Sequence, residues 1–227
     1  MSIMPRSSIP MLRALTRRDF AVGLLIACAA FSHPAQAEDP ITVLALGDSL
    51  TAGYGLKQGE GFADQLQTAF RKMGRPVTVI NGGVSGDTSA GGLTRTDWAL
   101  ADKPQVVILE LGANDMLRGV DPATTRANLT GIIDKAKAAG AKVLLCGMKA
   151  QRNLGADYVQ KFDAIYPDLA QREGVAFYPF FMDGIVHEDG TADRSLLQGD
   201  GLHPTEAGAA LIVQRIMPEL LKLLGPA

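Results

Sequence analysis

Beyond residue 37 the chain contains two histidines, His187 and His203, and the second has a carboxylate three residues before it, in Asp200-Gly201-Leu202-His203-Pro204. In a tight turn that spacing lets Asp200 accept a hydrogen bond from one ring nitrogen. The tautomer is then fixed, and the other nitrogen is left to act as a base. His187, in Val186-His187-Glu188-Asp189, stands among polar residues and reads as a solvated surface histidine. Such a base supports acyl transfer when it faces a hydroxyl nucleophile and when N–H donors await the oxyanion. Ser49, in Gly47-Asp48-Ser49-Leu50, directly follows an apolar run and is the candidate nucleophile. Alone, it would read equally well as a helix N-cap or turn serine. The candidate oxyanion donors are the backbone N–H groups of Ser49 and Gly86 and the side-chain amide of Asn114. Glycine at position 86 allows close approach to the backbone. Ser85, in Gly83-Val84-Ser85-Gly86-Asp87, lacks the last glycine of a Gly-x-Ser-x-Gly elbow and is the weaker nucleophile.

These residues need a frame, and the rest of the sequence supplies one. Runs at 41–46, 77–80, 106–111, 142–146 and 175–178 are rich in Val, Ile and Leu with little alternation, as strands buried on both faces are. Helical patterns lie between and after them, at about 61–73, 88–101, 122–139, 157–173 and 205–223. Asp121-Pro122 reads as an N-cap followed by proline at the first helical position, with Gly140 as the stop of the same helix. Five strand–helix pairs without a linker predict one doubly wound α/β domain with a parallel sheet. Ligands of such sheets bind beyond the carboxyl ends of the strands. Three polar, glycine-rich clusters follow strand ends there, at 47–50, 81–88 and 112–115, and the fourth, at 200–204, precedes the last helix. Each alone is an ordinary turn composition. Four together favour a site.

Taken as an ordered set, Gly47-Asp48-Ser49-Leu50, Ser85-Gly86-Asp87, Gly112-Ala113-Asn114-Asp115 and Asp200-Gly201-Leu202-His203 resemble the landmark blocks of the SGNH, or GDSL, hydrolase superfamily. The likeness runs through most of residues 41–220. With 46–54, Thr88-Ser89 and Ala164-Ile165-Tyr166-Pro167 included, it resembles the bacterial periplasmic acyl-CoA thioesterase/lysophospholipase/arylesterase subgroup. The resemblance implies a flavodoxin-like, three-layer fold with five parallel strands and no metal or organic cofactor. It also implies Ser49 as nucleophile, Asp200 and His203 as acid and base, and Ser49, Gly86 and Asn114 as the oxyanion hole. The expected reaction is hydrolysis of carboxylic esters or thioesters through an acyl-enzyme on Ser49. If His203 must be neutral, activity should rise with pH through roughly 6–7, where imidazole ordinarily loses its proton.

Met116 and Leu117 after the third strand, 147–158 after the fourth, and Phe180 to Met182 after the fifth are candidate walls of an acyl groove. Their limited number predicts short-to-medium acyl chains and aryl esters. Lysophospholipids, thioesters and acetylated sugars fit the same site residues, so a sugar deacetylase is an alternative. A non-catalytic flavodoxin-like module is another, although neither a phosphate-binding Gly-x-x-x-x-Gly-Lys-Ser/Thr motif nor a dinucleotide fingerprint occurs. A metallohydrolase built on Asp48, Asp200 and His203 is a third, weakened by the lack of close histidine spacing.

Residues 1–37 read as an export signal. Arg6, Arg13, Arg17 and Arg18 precede an apolar run at 20–31, and Ala35-Gln36-Ala37 supplies a cleavage site. Arg17-Arg18 marks the twin-arginine type, where the subgroup would suggest an ordinary secretory signal. Leu25-Ile26-Ala27-Cys28 offers a lipoprotein site as the lesser alternative. About a dozen apolar residues are too few to span a membrane. The expected product is a periplasmic or secreted domain, 38–227. The segment carries four arginines and one acid, so its removal takes the net charge from −2 to −5, with 18 basic and 23 acidic residues left. That leaves no basic footprint for nucleic acid. Cys146 is then the lone cysteine and cannot form an internal disulfide. Nothing in the sequence sets an oligomeric state.

Overall fold

The computed structural model describes residues 40–187 and 190–226. The export-signal reading of residues 1–37 lies outside them. Five strands form one parallel sheet: β1 (Ile41–Gly47), β2 (Val77–Gly83), β3 (Val106–Glu110), β4 (Lys142–Cys146) and β5 (Ala176–Tyr178). Their order is β2-β1-β3-β4-β5, the flavodoxin-like arrangement. The central strands are apolar along their length because helices cover both faces. Val43 to Leu46 and Val106 to Leu109 are almost completely buried. Two helices, α2 (Phe62–Lys72) and the C-terminal α8 (Glu206–Leu224), pack together on one face. The other face carries α3 (Ser89–Ala99), α5 (Pro122–Ala138) and α7 (Ile165–Glu173).

Local chemistry accounts for the helix limits. Asp121 caps α5 by accepting from the Ala123 N–H, with Pro122 at the first position, and Thr205 caps α8 through the Gly208 N–H. The single helix expected over 157–173 is two, α6 (Ala156–Asp163) and α7, divided at Ala164. Pro167 is the reason: it has no N–H for the Asp163 carbonyl, and its ring crowds that carbonyl. Short helices α1 (Ser49–Ala52) and α4 (Ala113–Leu117) begin within two of the glycine-rich clusters, 47–50 and 112–115.

The second correction concerns β2. It continues through Asn81-Gly82-Gly83, beyond the expected end at residue 80 and despite the turn composition of these residues. A side chain at Gly83 would collide with the backbone of Ala52, so glycine there lets α1 lie directly against the strand. Cys146 is completely buried, and burial pushes its thiol well above the usual range, as expected for an inert core cysteine. No helix among the described residues is long and apolar enough to cross a membrane.

Candidate active site

The sheet order reverses at β1, whose neighbours are β2 and β3, and a crevice opens beyond the carboxyl ends of β1 and β3. Gly47, the last residue of β1, pairs with Glu110, the last of β3. The chain leaves β1 directly into α1. The Asp48 carboxylate caps this helix by accepting from the Leu50 N–H at 3.0 Å, and Ser49 is its first residue. That cap holds the serine hydroxyl at the floor of a cleft of about 750 Å³.

His203 reaches Ser49 from the loop before α8. Its Nε2 lies 2.8 Å from Ser49 Oγ, and its Nδ1 lies 2.6 Å from Asp200 Oδ2. Asp200 Oδ1 accepts the backbone N–H groups of Leu202 and His203. Those two donors, followed by the His203 ring, hold the Asp200 carboxyl down at about 2. An ionised Asp200 draws the ring proton to Nδ1, so Nε2 accepts from the serine hydroxyl. The Tyr54 ring lies 4.6 Å from the imidazole, centroid to centroid, and confines it from the side.

Gly86 and Asn114 line the same cleft as Ser49. Residues 84–87 form a turn closed by the Asp87 N–H donating to the Val84 carbonyl, with Gly86 third in the turn at φ +80°. That is the position where a type II turn requires a left-handed residue. Arg118 Nη2 donates to the Gly86 carbonyl at 2.8 Å. Asn114 gives one Nδ2 hydrogen to Asp48 Oδ2 at 3.0 Å, which sets the amide plane and leaves the second hydrogen for a ligand. Its neighbour Asp115 is buried and accepts from the Ser89 N–H and from the Ser89 and Thr125 hydroxyls, fixing α4 against α3 and α5.

The predicted wall residues Met116, Leu117, Phe180 and Met182 all line the cleft. Met148 and Lys149 join them, with the Lys149 ammonium 5.1 Å from the Phe180 ring centroid. His187 is exposed at the rim. The three groups of the metal reading do not share a focus. Asp48 faces Leu50 and Asn114, whereas Asp200 and His203 face one another.

Two carboxyls stand behind Ser49: Asp48, which the sequence reading places only in the metal alternative, and Glu110, to which it gives no role. Glu110 is completely buried; its Oε2 accepts from Thr51 Oγ1 at 2.7 Å and from the Asp48 N–H at 3.3 Å, while Oε1 has no partner among the described residues. The available signal was an acid closing an otherwise apolar run, Val106 to Glu110, on a strand buried on both faces. Burial, with the Asp48 charge alongside, pushes the Glu110 carboxyl well above the usual carboxylate range. Burial likewise raises Asp48 to about 6, against the opposing pull of the Leu50 N–H and the Asn114 amide.

Both shifts are upward, so the fold retains protons that the unfolded chain releases. Stability from this pair is complete below about pH 4 and declines as pH rises through the folded values. Glu110→Gln keeps the accepting oxygen and removes the titration. The variant is expected to lose less thermal stability than the parent between pH 5 and 8. The difference is at most about 1.4 kcal/mol per pH unit, read from melting temperatures across that range. Parallel profiles would mean that Glu110 ionises normally.

Comparison with known proteins bears on the same residues. A family model described as GDSL-like lipase/acylhydrolase matches residues 45–211. The esterase TesA of Pseudomonas aeruginosa is 39% identical over 202 residues, spanning 88% of this chain and 98% of its own. A protein of Escherichia coli named thioesterase 1/protease 1/lysophospholipase L1 is 35% identical, over 81% of this chain and 85% of its own. A crystal structure of the psychrotrophic esterase EstA from Pseudoalteromonas sp., inhibited by monoethylphosphonate, matches with a TM-score of 0.74. It is 35% identical, over 81% of this chain and 98% of that one.

Proposed function

Since the chain belongs to the GDSL-like lipase/acylhydrolase family and is a serine ester hydrolase of it, we propose that Ser49, His203 and Asp200 carry the reaction and that Ser49, Gly86 and Asn114 form the oxyanion hole. The observation that carries this reading is His203 itself, hydrogen-bonded to Ser49 Oγ by one nitrogen and to Asp200 by the other. Ser49 Oγ attacks the acyl carbon as its proton passes to His203 Nε2. The carbonyl oxygen becomes an oxyanion facing the Ser49 and Gly86 amides and the second Asn114 hydrogen. Collapse of the adduct expels the alcohol or thiol, which takes the proton from His203. Water then deacylates Ser49 by the same route. Each oxyanion donor is worth about 10²–10³-fold in rate.

The substrates are carboxylic esters or thioesters, with short-to-medium acyl chains and aryl leaving groups preferred. Met116, Leu117, Phe180 and Met182 are proposed to receive the acyl chain. A series of p-nitrophenyl esters from acetate to palmitate tests this reading. The expected kcat/KM is highest between acetate and octanoate and falls beyond. Faster turnover of palmitate than butyrate would refute the chain-length preference, and no turnover of any member would refute the esterase reading. Export belongs to the same proposal, with residues 1–37 as a twin-arginine-type signal and 38–227 as the hydrolase domain in the periplasm or medium. A mature N-terminus at Glu38 is the observation that supports it; one at Cys28 would replace it with the lipoprotein alternative.

A further inference from the structure

Arg95, on α3, lies outside every motif that the sequence reading singled out. Its guanidinium is largely buried and makes three charge-assisted hydrogen bonds. Nε donates to Asp87 Oδ2 at 2.7 Å, Nη1 to the Gly82 carbonyl at 2.7 Å and Nη2 to the Gly47 carbonyl at 2.9 Å. Each partner sits beside a reacting element. Gly47 ends β1 two residues before Ser49, Gly82 lies at the end of β2, and Asp87 directly follows Gly86 in the turn. The Gly47 carbonyl also accepts the Val84 N–H at 3.0 Å, so the same oxygen is shared by the cation and the start of that turn. The Val84 N–H on the Gly47 carbonyl ties the start of that turn to β1, but it does not reach Asp87 at the far side of Gly86. The distance from the serine to the Gly86 amide is set by how the end of β1 and the 84–87 turn are tied, and the Arg95 guanidinium ties both.

We infer that Arg95 is a positioning residue for ester hydrolysis, holding the nucleophile turn and the Gly86 turn at the separation the oxyanion requires. It touches neither substrate nor the reacting atoms. A planar fork with donors in fixed directions can satisfy a carboxylate and two carbonyls at once. A lysine ammonium in the same place keeps the charge without that geometry. Removing the fork lets the two turns drift apart, and a misplacement of about 1 Å at a reacting group costs on the order of 100-fold in rate.

The inference rests on the proposed function, and the experiment separates the two. Wild type, Arg95→Lys and Arg95→Ala are titrated with ethyl p-nitrophenyl phosphonate to count competent serines. Hydrolysis of p-nitrophenyl butyrate is then expressed per titrated site. The expected kcat per site falls about 100-fold in Arg95→Ala. It falls about 10-fold in Arg95→Lys, with KM within about threefold and the pH profile unchanged, because His203 and Asp200 are untouched. A purely structural role would lower the number of titrated sites and leave kcat per site intact. Values within twofold of wild type in Arg95→Lys would therefore overturn the inference even if Arg95→Ala does not fold. A wild-type protein that the phosphonate fails to titrate would instead overturn the esterase reading on which it stands.

Discussion

Replacing Ser49 by alanine removes hydrolysis of p-nitrophenyl butyrate, lowering kcat by about 10⁴-fold or more while the melting temperature moves by no more than a few degrees. The size of the loss follows from the covalent route. Without Oγ there is no acyl-enzyme, and what survives is attack by water helped only by the oxyanion donors and by binding. Stability is spared for a local reason. The cap of α1 is the Asp48 carboxylate on the Leu50 N–H, and the Thr51 hydroxyl on Glu110 is likewise untouched. Alanine at the first helical position adds no bulk and leaves no buried donor orphaned, so the cost belongs with ordinary substitutions of about 0.5 kcal/mol. A variant with a wild-type melting temperature and more than a tenth of the parental rate would show that the nucleophile lies elsewhere in the cleft.

Asp200→Asn is expected to lower kcat by about 10³–10⁴-fold, with the fold intact. Asp200 Oδ1 accepts two backbone N–H groups, from Leu202 and His203. In the variant the carbonyl oxygen of Asn must take that place, because an NH2 group cannot accept them. The amide nitrogen then faces His203 Nδ1 and donates to it, so the ring proton moves to Nε2. Ser49 is left facing a donor instead of a base. The pH dependence adds a second reading. Asp200 stays ionised down to about pH 2, so its own titration adds nothing to the pH dependence between pH 5 and 9. Steady-state rates between pH 5 and 9 should show the Asn variant depressed at every pH, with no recovery at high pH. Activity within tenfold of the parent would mean that Asp200 does not set the tautomer.

Much of this arrangement was legible before any coordinates. The apolar runs identified all five strands, most clearly the central ones, which are buried on both faces and carry an unbroken signal, and 142–146 matched to the residue. Asp200 and His203 were readable for a different reason: their interaction spans three residues, and the chemistry leaves few substitutes. The misses have equally physical causes. Helices of four and five residues, such as α1 and α4, are too short for periodicity to show. Asn81, Gly82 and Gly83 have turn composition, yet they extend β2 because glycine is what lets α1 approach. Arg95 gave no local signal at all, since its carbonyl partners lie 13 and 48 residues away in sequence. Asp48 is visible in the sequence as part of the Gly-Asp-Ser-Leu block and as a metal-ligand candidate, not as a partner of Asn114. Its work in orienting Asn114 depends on a contact across 66 residues.

Ser49 and His203 are separated by 154 residues, yet their side chains share one hydrogen bond. The loop that brings the histidine home is latched by Gln198, whose Nε2 donates to the Tyr54 carbonyl beside the nucleophile and to the Pro204 carbonyl beside the base. Gln65 on α2 adds a tie to the Glu206 carbonyl at the start of α8. On the proposed roles, the nucleophile is therefore made early in the chain and the base late. A nascent chain that has completed four strands holds a serine with nothing to activate it. With those roles, hydrolytic power switches on only when the final helix docks, and the order of assembly keeps every partly folded form chemically silent.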